Sequence, residues 1–294
     1  MPIASTRSPS LQAPDRAGVS LHWGNRAATS RDDLAAPSLR PPLKWAGGKR
    51  WQVAYVRPLW EAHRDRRYVE PFCGGAAMAL GLRPECALLN DANPHLINFY
   101  RWLRRGLSVR IPVENREDLY YRHRERFNAL MAQGAADSEE AAALFYYLNR
   151  TGYNGLCRFN RDGRFNVPFG RYATIRYEHD FAAYQPLLEN WAFSSGDFET
   201  VTLHPDDFVY ADPPYDVEFT QYAREGFRWA DQQRAAVRLA VHPGPVVLVN
   251  QATARVERLY RELGFAVTFI DAPRRISCTG DRSPAREIIA TRNL

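Results

Sequence analysis

The sequence predicts an α/β fold, and three observations carry that prediction. A hydrophobic run, Arg67–Phe72, leads through the tight turn Cys73-Gly74-Gly75 into a stretch of small apolar residues, Ala76–Leu82. A second apolar run, Ala87–Asn90, ends in an acid, Asp91. A third, Asp207–Ala211, stops at Asp212-Pro213-Pro214-Tyr215. Short apolar runs bounded by turn residues read as buried strands, and strands alternating with helices imply a parallel sheet. Strand, glycine turn and helix form the first half of a nucleotide-binding unit, with the ligand near the positive end of the helix.

The chain has 294 residues, 45% of them hydrophobic, and a formal charge of +6. That basic excess is compatible with a polyanionic partner. Its four cysteines, Cys73, Cys86, Cys157 and Cys278, form no C-x-x-C pair, which fits a reduced intracellular protein. No apolar run reaches the roughly 20 residues that span a bilayer, and no signal core opens the chain. Residues 1–40, rich in Ser, Ala, Pro and Arg without a period, read as a disordered tail.

Order begins at Pro41–Arg50. There Lys44-Trp45-Ala46-Gly47-Gly48-Lys49 sets two glycines between two lysines, so the backbone can approach an anion or a flat ligand. The spacing is not that of a phosphate-binding P-loop, and a surface turn with solvated lysines would explain the loop equally well. After the glycine turn, Asp91 at the tip of the second strand is placed to accept hydrogen bonds from ribose hydroxyls. Asn93-Pro94 caps the following helix, His95–Leu103.

Between residues 101 and 195 the character changes. Tyr120–Phe127 is basic and aromatic at helical spacing, and Glu139–Leu148 is an alanine-rich helix. The stretch Asn149–Tyr172 then reads as a basic hairpin turning at Asp162-Gly163. Its Arg, Asn and Tyr side chains suit base edges and phosphates, although a solvated hairpin would carry them too. Afterwards the α/β pattern resumes, with strands at Trp191–Ser194 and Pro245–Asn250 and helices at Trp229–Val241 and Thr253–Leu263, the last stopped by Gly264. Phe265–Ile270 and Glu287–Arg292 form a final strand pair joined by the basic stretch Arg274–Arg286.

The prolines after Asp212 end its strand, because each fixes φ and lacks an N–H. The carboxylate then protrudes at the strand's carboxyl end, beside the ring of Tyr215. An acceptor next to a ring suits a planar heterocycle with an exocyclic amine, although a strand-ending turn with a packed tyrosine would account for the tetrapeptide alone.

Taken jointly, these motifs resemble the Dam-like (D12 class) family of DNA adenine-N6 methyltransferases. The resemblance runs from about Pro41 to Leu294. It rests on Leu43–Lys49, Val69–Phe72, Asp91-Ala92-Asn93 with Leu96-Ile97, Leu148-Asn149-Arg150, Gly152–Arg158, Phe165–Tyr172 and the Asp-Pro-Pro-Tyr motif. One departure is Ala76, where the family commonly has glycine. The resemblance implies a Rossmann-like S-adenosylmethionine-dependent methyltransferase sheet ending in an antiparallel pair, with an inserted, mainly helical DNA target-recognition domain that carries a β-hairpin. The catalytic domain would comprise residues 41–100 and 196–294, and the recognition domain residues 101–195.

It further implies that Trp45, Lys49, Phe72, Gly74, Asp91, Asp197, Phe198 and Asp212 contact the cofactor S-adenosylmethionine. Asp212, Pro213, Pro214 and Tyr215 form the catalytic group. Lys44, Tyr153, Asn154, Leu156, Arg158, Pro168, Arg171 and Tyr172 face double-stranded DNA. The expected target is the adenine of GATC, flipped out of the duplex. No metal, no membrane, a monomer in solution and a cytoplasmic, nucleoid-associated protein complete the expectation. The rival readings are transfer to another planar amino group (cytosine N4, RNA adenine or a protein amide) and a DNA-binding protein with a decayed site.

Overall fold

In the computed structural model, the described residues are 39–216, 226–272 and 285–294. The expected tail, apart from Leu39 and Arg40, lies outside them, as does most of the basic stretch Arg274–Arg286. Among the described residues, seven strands form one sheet in the order β3-β2-β1-β4-β5-β7-β6. They are β1 (Tyr68–Glu70), β2 (Ala87–Asp91), β3 (Trp191–Ser195), β4 (Phe208–Ala211), β5 (Val246–Gln251), β6 (Ala266–Ala272) and β7 (Ala285–Arg292). The first five run parallel. β7 runs antiparallel to both β5 and β6. This is the expected Rossmann-like sheet ending in an antiparallel pair, with β7 alone reversed.

The strands read as unbroken apolar runs because both faces are covered. Residues on one face, Val69, Val209, Ala211, Val246 and Leu248, pack with α7 (Trp229–Ala240) and α8 (Ala254–Glu262). Their neighbours Tyr68, Tyr210, Val247 and Val249 point to the other face. There the core includes residues of α1 (Val53–Glu61), α2 (Ala77–Leu82) and α3 (Pro94–Arg104). The same core continues through α4 (Glu117–Ala132) and α5 (Glu139–Thr151), while α6 (Gln185–Leu188) precedes β3. α5 is buried from Ala141 to Asn149 and therefore carries no polar stripe.

Three helix starts follow local chemistry. The Asn93 side chain accepts from the backbone N–H groups of His95 and Leu96, Ser138 caps α5, and Thr253 caps α8. Two expectations need correction. The sequence pattern marks no element over residues 50–61, yet a 3₁₀ turn (Arg50–Gln52) and α1 occupy them, with Pro58 inside the helix. The expected β-hairpin of Asn149–Tyr172 is not a regular ladder. It is a short antiparallel pairing, with Asn160 N–H donating to Arg164 O and Asn166 N–H to Arg158 O beside the Phe159–Phe165 bridge, around a turn in which Gly163 N–H donates to Asn160 O, and a separate bridge joins Gly152 and Phe169. Its side chains pack on α4 and α5, and Asn128 bonds the Phe165 backbone in both directions on the edge away from Phe159.

Candidate active site

Chain order reverses between β1 and β4, since β2 and β3 lie to one side and β5 to the other. Ligands of open α/β sheets bind at the carboxyl ends of the strands flanking such a reversal. A cavity of about 610 Å³ opens there. All the side chains expected for catalysis and cofactor contact line it: Trp45, Lys49, Phe72, Gly74, Asp91, Asp197, Phe198 and Asp212 through Tyr215.

Asp212 directly follows β4. One carboxylate oxygen, Oδ2, lies 3.3 Å from Lys49 Nζ. The other, Oδ1, is buried and has no hydrogen-bond partner among the described residues. Burial pushes the carboxyl up to about 7 from 3.8, with Lys49 pulling it down and Glu287 raising it further. Lys49 Nζ also donates to Gly47 O at 2.8 Å and sits 4.3 Å from the centre of the Tyr215 ring. Behind the motif, Gln232 Nε2 donates to Pro214 O at 2.6 Å, and Asn250 Oδ1 accepts from Asp216 N–H at 3.3 Å. Arg255 pairs with the Asp216 carboxylate. The loop is thus held on its buried side, and Asp212 is among the residues that line the cavity.

The glycine turn is shaped by Trp45. Gly74 has φ +45°, and a Cβ there would lie 2.6 Å from Trp45 Nε1. A Cβ on Gly75 would lie 2.9 Å from Trp45 Cβ. The glycines therefore admit the tryptophan, which becomes one wall of the cavity. Ala76 caps α2 at φ 50° and ψ 29°. Its left-handed conformation suits glycine and costs an alanine roughly 1–2 kcal/mol, which gives the Ala76 departure a physical meaning. Asp91 ties the turn down: Oδ2 accepts from Gly74 N–H at 3.0 Å and Oδ1 from Asn93 N–H at 2.9 Å. Burial raises its pKa against the pull of these two bonds.

Opposite the turn, Phe72, Phe198 and Phe227 form a triangle of rings with centres 5.2 to 6.0 Å apart. Asp197 caps the short turn that carries Phe198 and pairs with Arg234 at 3.1 Å.

The residues expected to face DNA do not line this cavity. Tyr153 is half exposed, Asn154 and Arg171 adopt positive φ, and Arg171 pairs with Glu117 on the surface. Arg158 lies along its own turn, donating from Nε to Asn166 Oδ1 at 2.8 Å. Leu156 packs against the core and Pro168 O accepts from Tyr153 N–H. Lys44 turns inward: Nζ donates to Arg150 O at 2.8 Å and lies 3.5 Å from the centre of the Tyr172 ring. Burial and Arg150 lower its pKa to about 8. Asn149 clamps the Lys44 backbone, accepting from its N–H and donating to its C=O, each at 2.8 Å.

Sequence reasoning missed three residues that line the cavity, Glu70, Phe227 and Glu287, and Gln52, which is buried behind Glu287. Glu70 is 3% exposed and lines the cavity. Burial raises its pKa well above the usual carboxylate range, and Asp212 adds to the shift. The available signal was an acid inside an otherwise apolar strand, which is costly unless it has a partner or a task.

Residues 45–275 match the family described as D12 class N6 adenine-specific DNA methyltransferase. The retron Ec67 DNA adenine methylase of Escherichia coli is 35% identical over 262 residues, covering 84% of this chain and 90% of the relative. A DNA adenine methylase of Vibrio cholerae is 36% identical over 270 residues, covering 84% and 94%. A type II methyltransferase of Lactococcus lactis subsp. cremoris is 33% identical over 275 residues, covering 86% and 95%. With an acid, two prolines and a tyrosine at the reversal of its sheet, the chain belongs to the D12 class N6 adenine-specific DNA methyltransferases.

Proposed function

We propose that the protein methylates adenine N6 in double-stranded DNA, takes the methyl group from S-adenosylmethionine, and acts on the adenine of GATC after flipping it from the helix. The observation that carries this reading is Asp212, a carboxylate lining the cavity at the sheet reversal, whose buried Oδ1 has no hydrogen-bond partner among the described residues. A donor with two hydrogens on a flat ring suits it, as adenine N6 does.

The cavity also fits the cofactor. It offers acids for a cationic ligand, an aromatic triangle for a purine, and a backbone turn fixed by Asp91. S-adenosylmethionine supplies a methyl group activated by sulfonium charge. Trp45, Lys49, Phe72, Gly74, Asp91, Asp197 and Phe198 hold it in this reading, with Glu70 added as a buried acid on the floor. Asp212 Oδ1 accepts the N6 hydrogen bond while Oδ2 stays with Lys49. With a pKa of about 7, the same carboxyl can take the proton that N6 releases. Pro213 supplies a second acceptor from its carbonyl, because Pro214 O is engaged by Gln232. Holding the amine in line does much of the work.

A base within a duplex cannot reach this recessed acceptor, so flipping follows, at a cost of a few kcal/mol. Stacking on Tyr215 returns roughly 1–3 kcal/mol. The segment 101–195 serves as the recognition domain, with Arg158 for guanine, Leu156 and Pro168 for a thymine methyl, and Lys44 for the outer guanine. Tyr153, Asn154 and Tyr172 border the DNA, and Arg171 meets phosphate. Arg158 must leave Asn166, and Lys44 must leave Arg150, to reach bases. DNA from cells expressing the protein, digested with an enzyme that GATC adenine methylation blocks, tests the site. Protection supports GATC; complete cutting with N6-methyladenine found elsewhere discards the site and keeps the chemistry.

Asp91→Ala is expected to weaken binding of S-adenosylhomocysteine by at least about tenfold, because it removes the ribose acceptor and unties Gly74 N–H. Calorimetric titration reads the effect, and an unchanged dissociation constant removes Asp91 from the cofactor site.

A further inference from the structure

Tyr215 is held at two places. Lys49 Nζ covers one face of its ring, and its hydroxyl donates to Glu287 Oε2 at 2.5 Å. The same oxygen accepts from Gln52 Nε2 at 2.6 Å, and Gln52 Oε1 accepts from Tyr210 OH at 3.0 Å. Gln52 is fully buried and Glu287 is 7% exposed. Glu287 lies on β7, paired with Gln251 of β5, and its side chain reaches the cavity. The chain Tyr210–Gln52–Glu287–Tyr215 therefore joins β4, the turn after Lys49, β7 and the Asp-Pro-Pro-Tyr loop.

An acid in a buried strand is expensive to desolvate, and the next positions, Ile288 and Ile289, show what packing alone selects there. Nothing in the roles given above uses Glu287. We propose that Glu287 is a positioning residue for the methyl transfer: it fixes the plane of the Tyr215 ring through the phenol and, by accepting from that phenol, makes the ring more electron-rich. The face opposite Lys49 is then set for the acceptor base. The base gains positive charge as N6 is methylated, and an electron-rich ring beneath it favours that charge. Through Gln52 the same carboxylate fixes the turn carrying Lys49, so the two contacts on the ring share one anchor.

The inference rests on the proposed reaction, so its test has one arm that needs no activity. Protein labelled with 3-fluorotyrosine is compared by fluorine NMR, with the Tyr215 resonance assigned from Tyr215→Phe. In Glu287→Gln, which keeps the shape, that resonance is expected to shift; no shift overturns the anchoring. The second arm measures transfer from labelled S-adenosylmethionine to mixed-sequence duplex DNA. Glu287→Ala and Tyr215→Phe are each expected to lower kcat by roughly 10- to 100-fold, the weight of a hydrogen bond to a charged group. For Tyr215→Phe, cofactor dissociation is expected to stay within about threefold of wild type, which marks an interaction made in the transition state. The double variant should be no slower than the slower single variant, because both changes break one contact. Losses that multiply, or a Glu287 variant that transfers at the wild-type rate, overturn the proposal. A wild-type protein that transfers nothing to DNA, with the resonance still shifting, overturns the proposed reaction and leaves the anchoring in place.

Discussion

Replacing Asp212 by alanine is expected to lower methyl transfer by roughly 10²–10³-fold or more, the usual weight of a preorganised group facing a developing charge. The protein should still fold and bind DNA, because the change removes a polar atom from a cavity wall and leaves the core untouched. Transfer within about tenfold of wild type would deny Asp212 its role. The wild-type profile should rise through about pH 7, where the Asp212 carboxyl of the free protein ionises. Stability should move the opposite way. The carboxyl titrates at about 7 in the fold against 3.8 unperturbed, so the folded state favours the protonated form. It therefore costs nothing below about pH 4, costs more as pH rises, and reaches its full cost above pH 7, with a ceiling of about 4 kcal/mol. That ceiling already contains the attraction of Lys49. Asp212→Asn should accordingly raise the Tm at pH 8, with a gain that shrinks as pH falls to 5. A gain that grows toward acid pH would show that the carboxyl is stabilised, not strained.

The second large effect is expected at the glycine turn. Gly74→Ala should destabilise the fold by roughly 2–4 kcal/mol, since it adds left-handed strain to overpacking. The new Cβ would meet Trp45 Nε1 at 2.6 Å and Cδ1 at 2.9 Å. Trp45 cannot step aside cheaply, because Asn149 grips the neighbouring Lys44 backbone on both sides. Gly134→Ala is the control: its φ is +72°, yet a Cβ there meets nothing within 4 Å. It should cost only about 1 kcal/mol, the backbone part alone. Thermal unfolding of the two variants separates the contributions, and equal losses would show that Trp45 contributes nothing.

What the sequence disclosed depended on how local the signal was. The runs at Tyr68, Phe208 and Val246 were legible because strands buried on both faces leave no polar alternation to confuse them. Asn93-Pro94 announced the start of α3 by its own chemistry. α1 was missed because it is short, holds Pro58, and buries only Val56 and Trp60 along its length. Asp162-Gly163 marked the hairpin turn, but a turn signal does not say how far paired strands run from it. Glu70 and Glu287 lie 217 positions apart in numbering yet line one cavity, a meeting that only the sheet order creates. Lys44 illustrates the same limit: its charge was legible, while its inward turn onto Tyr172 depends on the fold.

The clamp of Asn149 on Lys44 also constrains how such a protein can diversify. Asn149 ends a helix of the segment between residues 101 and 195, while Lys44 begins the loop that walls the cavity. Exchanging that segment wholesale between relatives would carry away the support of Trp45 and Lys49. A graft must therefore bring residues 43–49 with it or preserve the asparagine. Surface positions such as Arg158 and Arg171 lie outside this coupling and can change one at a time. If segment 101–195 reads the DNA as proposed, new target preferences are reached by point substitution at the rim, not by trading modules.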